Sequence, residues 1–280
     1  MRWCVPIAAA LVAASIVRAD HAGMASSTAR PQLAQRNGTV ASVDVELVIA
    51  VDVSYSMDMD ELAIQREGYA QAVESKEFLQ ALNTGPNRKI AITYFEWSSS
   101  GDQRIIIPWR VIDGAESADA VAAEILKTGF SRGSRTSISG AINFALPLFE
   151  KNPYLGLRRV IDISGDGPNN HGPLVTSARD AALEKGITIN GLPIMVKEPS
   201  QMGWDIPDLD VYYEDCVIGG PGAFVVAIKD RAKIKDSIRN KLVLEVSGRP
   251  PERFTVALAE SEPRVPCSVG EKLWQDRRGR

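Results

Sequence analysis

Five side chains in the sequence carry the oxygen atoms that a hard metal ion prefers, and they stand at or near the ends of apolar stretches. Three of them form an Asp-x-Ser-x-Ser motif at the end of the apolar run 45–53, and one Asp follows the run 158–164. The fifth is a Thr in a loop that contains Gly and Ser and precedes a predicted helix. The set is Asp52, Ser54, Ser56, Thr136 and Asp166. Carboxylate and hydroxyl oxygens select hard cations, so these residues predict a site for Mg²⁺ or, alternatively, Ca²⁺ or Mn²⁺.

The predicted ligands determine what the ion itself can bind. Two carboxylates and three hydroxyls supply a small octahedral shell, partly through waters, that is not fully anionic and keeps one position open. A carboxylate from another molecule fills such a position well. The pattern therefore predicts a binding module that grips an exposed Asp or Glu of a protein partner.

The elements that must position these residues alternate between strands and helices. We predict strands at 45–53, 89–97, 104–109, 158–164 and 187–194, and helices at 58–82, 117–127, 136–149, 173–185 and 234–246. Residues 219–228 are predicted to form a Gly-Gly-Pro-Gly turn and then a sixth strand. This alternation predicts an α/β domain with a doubly wound, mostly parallel central sheet flanked by helices. Pro108 puts the third strand at an edge or an end of the sheet. Ligands of open α/β sheets bind outside the carboxyl ends of the strands, where we expect Asp52, Thr136 and Asp166 to meet.

The pattern resembles the metal-ion-dependent adhesion site (MIDAS) of von Willebrand factor A (VWA) domains, whose motif is Asp-x-Ser-x-Ser, then Thr, then Asp. From about Val43 to Val246, the chain also resembles a bacterial family of exported VWA-like proteins of unknown function, known as DUF1194. The likeness is carried by AVDVSYSMD, QREGY, EWSSSGDQ, RRVIDISGDGPNN, GITINGLPI and YYEDCVIGGPGAFV. The resemblance implies the VWA fold, which is Rossmann-like, and Mg²⁺ or a similar ion, but it brings no characterised activity.

Several residues near the predicted site have two alternative interpretations each. Glu96 supports the metal residues or contacts the ligand, or it is a solvated loop residue. Arg135, beside the metal-binding Thr, repels the cation or helps to hold an anionic ligand. Asn169 orients water around the ion or belongs to a turn. Tyr55 and Trp97 contact a partner or pack within their loops.

The sequence gives little support to catalysis. His171 is the only histidine in the predicted domain, and there is no Gly-x-Ser-x-Gly motif for it to activate. No second histidine or clustered cysteine indicates a zinc site. We therefore expect a binding module and not an enzyme. The alternatives are a metal-dependent hydrolase that uses the same ion as a Lewis acid, with His171 or Glu96 assisting, and an exported structural domain with a vestigial site.

The sequence predicts that segments at both ends of the chain lie outside the domain. Residues 1–19 have a basic start, an apolar Ala-rich stretch and a small residue at the end, which predicts a signal peptide. We predict a disordered linker at 20–42, a VWA-like domain at 43–247, and a loose C-terminal tail at 248–280 in which 254–258 could add a short strand. Export indicates a periplasmic or extracellular location, and the family resemblance favours a Gram-negative periplasm.

Charge and cysteine content narrow the choice of partners. The formal net charge is -3 and the pI about 5.6, which gives no electrostatic basis for binding nucleic acid or an anionic membrane. No segment after the signal peptide reaches transmembrane length. Cys4 leaves with the signal peptide, and the remaining Cys216 and Cys267 either form a disulfide or are unrelated thiols.

Overall fold

A computed structural model of the chain describes residues 1, 40–129, 131–197, 206–248 and 263–278. Within these ranges, five strands form one sheet in the order β3-β2-β1-β4-β5. The strands are β1 (Ala41–Asp52), β2 (Ile90–Trp97), β3 (Gln103–Ile112), β4 (Tyr154–Gly165) and β5 (Thr188–Pro193). β3 pairs antiparallel with β2 at one edge, and the other pairs are parallel. The fold is the predicted mostly parallel α/β sheet, and Pro108 lies in the edge strand, as expected.

Helices cover both faces of this sheet. They are α1 (Met59–Glu74), α2 (Lys76–Leu82), α3 (Ala115–Lys127), α4 (Ile138–Glu150), α5 (Val175–Glu184), α6 (Leu209–Tyr212), α7 (Ile234–Ser247) and α8 (Val269–Arg278). A π-helical turn, Tyr213–Val217, continues α6, and a 3-10 turn, Arg231–Lys233, precedes α7. No helix in the described ranges is long and apolar enough to cross a membrane.

The central position of β1 in the sheet explains why the sequence of this strand is almost continuously apolar. Leu47, Ile49 and Val51 pack in the hydrophobic core with α1, α3 and α7. Val48 and Ala50 pack in a second core with α4 and α5. A parallel strand buried on both faces has no side chain left for solvent, so it does not alternate between apolar and polar residues.

The core also contains an ionic cluster. The Nζ atom of Lys241, on α7, lies 2.6 Å from Oδ1 of Asp162 on β4 and 2.7 Å from Oε1 of Glu245. All three side chains are at most 1% exposed. Burial raises the pKa of Asp162 and of Glu245, and Lys241 opposes both shifts. The cluster ties α7 to the middle of the sheet.

The topology brings the ends of two central strands together. β1 lies between β2 and β4, so the chain winds first to one side of β1 and then to the other. In the parallel register, Val51 of β1 is opposite Ser164 of β4. The residues that follow these strands therefore leave the sheet side by side, at the point where the winding reverses.

Two predicted elements differ from the structure. The predicted helix 58–82 is interrupted at Ser75, whose extended backbone ends α1 and whose hydroxyl caps α2 by accepting from the Phe78 N–H at 3.1 Å. The predicted sixth strand, 219–228, is irregular and makes only isolated bridges to residues of, or next to, β5. Gly220 and Gly222 have positive φ angles, as the predicted Gly-Gly-Pro-Gly turn requires, but no regular strand follows the turn.

The chain ends also depart from expectation. β1 begins at Ala41, two residues before the predicted start of the domain. The expected loose tail instead contains α8. Of the two alternatives for the cysteines, the structure has the disulfide, which joins Cys216 to Cys267 with their Cα atoms 5.4 Å apart. The predicted signal peptide beyond residue 1, most of the linker, and the short strand at 254–258 lie outside the described residues.

Candidate metal site

Asp52, the last residue of β1, occupies the floor of the candidate site. Its side chain is fully buried, and its Oδ1 accepts a hydrogen bond from the Ser54 N–H at 2.7 Å. Its Oδ2 is buried and has no hydrogen-bond partner among the described residues. Burial and the charge of the nearby Asp166 raise the pKa of Asp52 well above its usual value, against hydrogen bonds from Ser54 and from the backbone of Asp166. A buried acceptor left unsatisfied is costly, so the geometry favours a bound cation beside this oxygen.

The hydroxyl groups of the motif connect the ends of β1 and β4. The Oγ atoms of Ser54 and Ser56 are 2.8 Å apart, and Ser56 donates to Oδ1 of Asp166 at 2.5 Å. Asp166 follows β4 directly and its side chain is 8% exposed. Oxygen atoms from both strand ends therefore form one continuous group.

The loop that carries Thr136 is held against the same group. Ser54 forms an isolated bridge with Gly133, and the Tyr55 N–H donates to the Gly133 carbonyl at 2.9 Å. This approach requires glycine, since a Cβ at position 133 would lie 1.9 Å from Oγ of Ser98. The Thr136 N–H donates to Oδ1 of Asn170 at 3.0 Å, and the Asn170 N–H donates to the Thr136 carbonyl at 2.8 Å.

The five predicted ligands thus lie on three loops that are bonded to one another, and their chemistry fits a hard divalent ion. Within the described ranges, no group of three or more His, Cys, Asp or Glu side chains is placed to hold a metal. The candidate ligand set contains three hydroxyl groups besides its two carboxylates. Its hydroxyl side opens into a cleft of about 510 Å³ lined by Ser54, Tyr55, Ser56, Ser134, Arg135, Thr136, Gly167, Pro168, Asn170, Lys197 and Trp274.

Glu96 lies away from this cleft. It is 2% exposed and is held between Arg66 of α1 and Arg104 of β3, the latter at 2.8 Å. Its burial contradicts the solvated-loop alternative, and it is not among the residues that line the cleft. Its two ion pairs instead join α1 to the edge of the sheet.

Arg135 and Asn169 both lie beside the metal loops. Arg135 has a φ angle of 74°, lines the cleft, and its guanidinium carbon is 3.3 Å from the centre of the Trp274 ring. Asn169 is buried, accepts from the Ser139 N–H at 2.9 Å and donates to Oε1 of Glu271 at 2.7 Å. Asn169 therefore braces the β4–α5 loop against α4 and α8.

Tyr55, Trp97 and His171 lie in different environments in the structure. Tyr55 is 63% exposed and lines the cleft, whereas Trp97 is fully buried in the core. Nδ1 of His171 accepts from the Ser100 N–H at 3.1 Å, which ties it to the loop after β2. The two residues named as helpers for hydrolysis, His171 and Glu96, are thus both engaged in contacts with other loops or strands.

Sequence reasoning missed two residues next to the candidate ligands. Nζ of Lys197, just after β5, lies 2.5 Å from Oε2 of Glu61 and 3.7 Å from Oδ2 of Asp166. The hydroxyl of Tyr213 is buried without a hydrogen-bond partner among the described residues, and burial and Asp52 raise its pKa. Lys197 follows a predicted strand at the same edge of the sheet as Asp52 and Asp166, so its position in the sequence could have indicated that it lies near the site. Nothing in the local sequence indicates the position of Tyr213.

The sheet order, the two helical layers and the loops at the ends of β1 and β4 have the VWA-type fold. Solved structures with this fold include the pilus adhesin SpaC from Lactobacillus rhamnosus GG, with a TM-score of 0.55, 12% identity and coverage of 73% of this chain and 31% of that chain. A von Willebrand factor type A protein from Catenulispora acidiphila has a TM-score of 0.51 and 17% identity, with 74% and 43% covered. Proximal thread matrix protein 1 from the mussel byssus, described with a zinc-occupied MIDAS motif, has a TM-score of 0.52 and 13% identity, with 74% and 47% covered. The chain spans less than half of each of these proteins.

The family model described as "Protein of unknown function (DUF1194)" matches residues 42–250, and the chain belongs to this family. The match covers nearly the whole of the sheet and of the helices up to α7. No curated protein matches the sequence.

Proposed function

We propose that this chain is an exported VWA-type binding module that holds one divalent cation and uses it to bind an acidic side chain of a protein partner. The proposed ligands are Asp52, Ser54, Ser56, Thr136 and Asp166. The proposed ion is Mg²⁺, with Ca²⁺ or Mn²⁺ as alternatives, because short hydroxyl ligands suit a small octahedral ion.

The observation that carries the proposal is the unsatisfied Oδ2 of Asp52. This buried carboxylate belongs to a hydrogen-bonded group that also contains Ser54, Ser56 and Asp166, and the two carboxylates of the group repel each other. A divalent cation compensates both charges and satisfies the buried oxygen. When bound, it would act as a Lewis acid for an incoming oxygen ligand.

The surroundings of the site support an acidic ligand. Arg135 and Lys197 are the charged side chains among the described residues that line the cleft, and both are positive. Positive charge beside a metal ion favours an incoming carboxylate. Two relatives of the same fold carry names that concern binding, a pilus adhesin and a byssus protein with a zinc-occupied MIDAS motif.

Export and the domain boundaries are part of the same proposal. Disulfides persist in oxidising compartments, and Cys216 and Cys267 are bonded. This bond supports a periplasmic or extracellular protein whose residues 1–19 direct export. The proposed domain, 43–247, is then extended by the C-terminal segment that contains α8.

Calorimetric titration of Mg²⁺, Ca²⁺ and Mn²⁺ into metal-stripped, disulfide-intact protein tests the metal site. We expect one saturable site in the wild type, and none in Asp52→Asn or Asp166→Asn. The matched control is Asp119→Asn, an exposed aspartate on α3, which should bind as the wild type does. Absence of saturable binding for all three ions would contradict the proposal. Undiminished binding in both site variants would mean that the ion binds at a different site.

A further inference from the structure

The C-terminal segment is attached to the domain at several independent points. The disulfide fixes Cys267 to Cys216 at the end of the π-helical turn. Just before it, Arg264 donates to Oδ1 of Asp215 at 2.7 Å and to Oε2 of Glu214 at 2.6 Å. These contacts set the position from which α8 starts.

The first turn of α8 packs on the loop that follows Asp166. A Cβ at Gly270 would lie 2.1 Å from the carbonyl oxygen of Asn169 and 3.2 Å from Cβ of Pro168, so only a glycine allows this approach. Oε1 of Glu271 accepts from Asn169 at 2.7 Å. The helix is therefore held directly against one of the proposed metal loops.

From this position α8 presents Trp274 to the cleft. Its ring stacks on the Arg135 guanidinium at 3.3 Å and forms part of the cleft lining. Tyr55, from the loop after β1, lines the same cleft with 63% of its surface exposed. Two aromatic rings from distant parts of the chain thus accompany the proposed metal position.

The cleft is much larger than the group that would bind the metal. A carboxylate occupies on the order of two water volumes, about 60 Å³, whereas the cleft measures about 510 Å³. The remaining space is bounded by the aromatic rings and by Pro168 as well as by polar side chains. That surface favours apolar atoms next to the acidic group.

We infer that α8 is part of the partner-binding surface, and that Trp274 selects a partner in which apolar side chains flank the acidic residue. This inference rests on the proposed function, since the acidic residue is the one held by the ion. The C-terminal segment thereby adds a specificity element to the VWA domain.

The test uses two capped peptides as probes, acetyl-Leu-Asp-Leu-amide and acetyl-Ala-Asp-Ala-amide, with protein loaded with Mn²⁺. Paramagnetic broadening of the peptide protons reports binding close to the ion. We expect the leucine peptide to bind about tenfold more tightly than the alanine peptide, which corresponds to about 1.4 kcal/mol. In Trp274→Ala the ratio should fall below about twofold, while the affinity for Mn²⁺ itself stays within about twofold of wild type. Lys272→Ala, an exposed change on the same helix, should keep the full ratio.

Each outcome decides a different point. A ratio near one in the wild type, or a full ratio in Trp274→Ala, overturns the role of Trp274 while leaving the metal site intact. Failure of the wild type to bind either peptide next to Mn²⁺ overturns this inference, whereas the proposed function itself fails only if Mg²⁺, Ca²⁺ and Mn²⁺ all show no saturable binding. Trp274→Gln keeps a long side chain without the ring and should also lose the ratio, so the test does not depend on the alanine variant remaining folded.

Discussion

Replacing Lys197 by Met removes a positive charge from the edge of the proposed metal site and should strengthen metal binding. Nζ of Lys197 lies 3.7 Å from Oδ2 of Asp166, one of the proposed ligands. Its other partners are Glu61, whose side chain is 2% exposed, and the Ser56 carbonyl, to which the ammonium donates a hydrogen bond. In the wild type, the ammonium and the divalent ion would share the negative charge of Asp166. The variant leaves that charge to the ion alone.

The magnitude follows from the distance. A metal–oxygen bond is about 2.1 Å, so an ion bound to the same oxygen of Asp166 would lie at most about 6 Å from Nζ. The repulsion between a divalent and a monovalent cation at that distance is about 1.4 kcal/mol at the dielectric of water. Lys197 is 38% exposed, and physiological salt reduces the repulsion by about half. We therefore expect Mg²⁺ to bind about threefold to tenfold more tightly to Lys197→Met.

Calorimetric titration at low and at physiological salt measures this effect, which should shrink as salt increases. Lys229→Met is the matched control, because Lys229 lines the neighbouring cavity with Lys197 but pairs with Asp210 at 2.7 Å. It should leave the affinity for Mg²⁺ unchanged. An equal or weaker affinity in Lys197→Met would refute the reasoning, since it would mean that the lysine helps to assemble the site.

Three further predictions concern the parts that hold the site in place. Lys241→Met leaves two buried carboxylates uncompensated and should lower the free energy of unfolding by about 3–5 kcal/mol in urea titrations, whereas the exposed Lys185→Met should change it little. Cys267→Ser opens a loop with a sequence separation of 51 residues and should lower the free energy of unfolding by up to about 4 kcal/mol, measured against the reduced wild type as control. Burial raises the pKa of Asp215, but hydrogen bonds and the charge of Arg264 outweigh it, so the folded-state pKa lies below the usual value. The resulting stabilisation is present above about pH 4 and is lost as pH falls through the folded pKa, so the protection factors of the α8 amides, which correct for the intrinsic pH dependence of hydrogen exchange, should fall in acid in the wild type and stay constant in Asp215→Asn.

The parallel sheet was predictable because its signal is local. The apolar runs of β1 and β4 end in polar residues, and a buried parallel strand has no other pattern available. Asp52, Ser54 and Asp166 were found from those strand ends. Their detailed contacts were not, because the bridge between Ser54 and Gly133 depends on a loop 79 positions away in sequence.

The features that sequence reasoning missed depend on long-range contacts. Ser75 interrupts a stretch with continuous helical spacing, and only the packing of α2 shows why the chain turns there. The segment that contains α8 has few apolar residues and reads as a tail, yet it is fixed by a disulfide and by Asn169. Whether Cys216 and Cys267 form a bond could not be decided from their spacing, since it depends on where both residues lie in the fold.

The separation of the proposed ligands along the chain has a kinetic consequence. Asp52 lies at the end of β1 and Asp166 directly after β4, with β2 and β3 between them in sequence. A partly folded chain that contains only β1, β2 and β3 lacks Asp166 and offers an incoming ion an incomplete shell. Binding of the proposed ion then stabilises the completed sheet and not its partly folded precursors. If β4 docks after the folding transition state, the ion should lower the unfolding rate and leave the folding rate unchanged. The ion then stabilises the folded domain kinetically and takes no part in the folding nucleus.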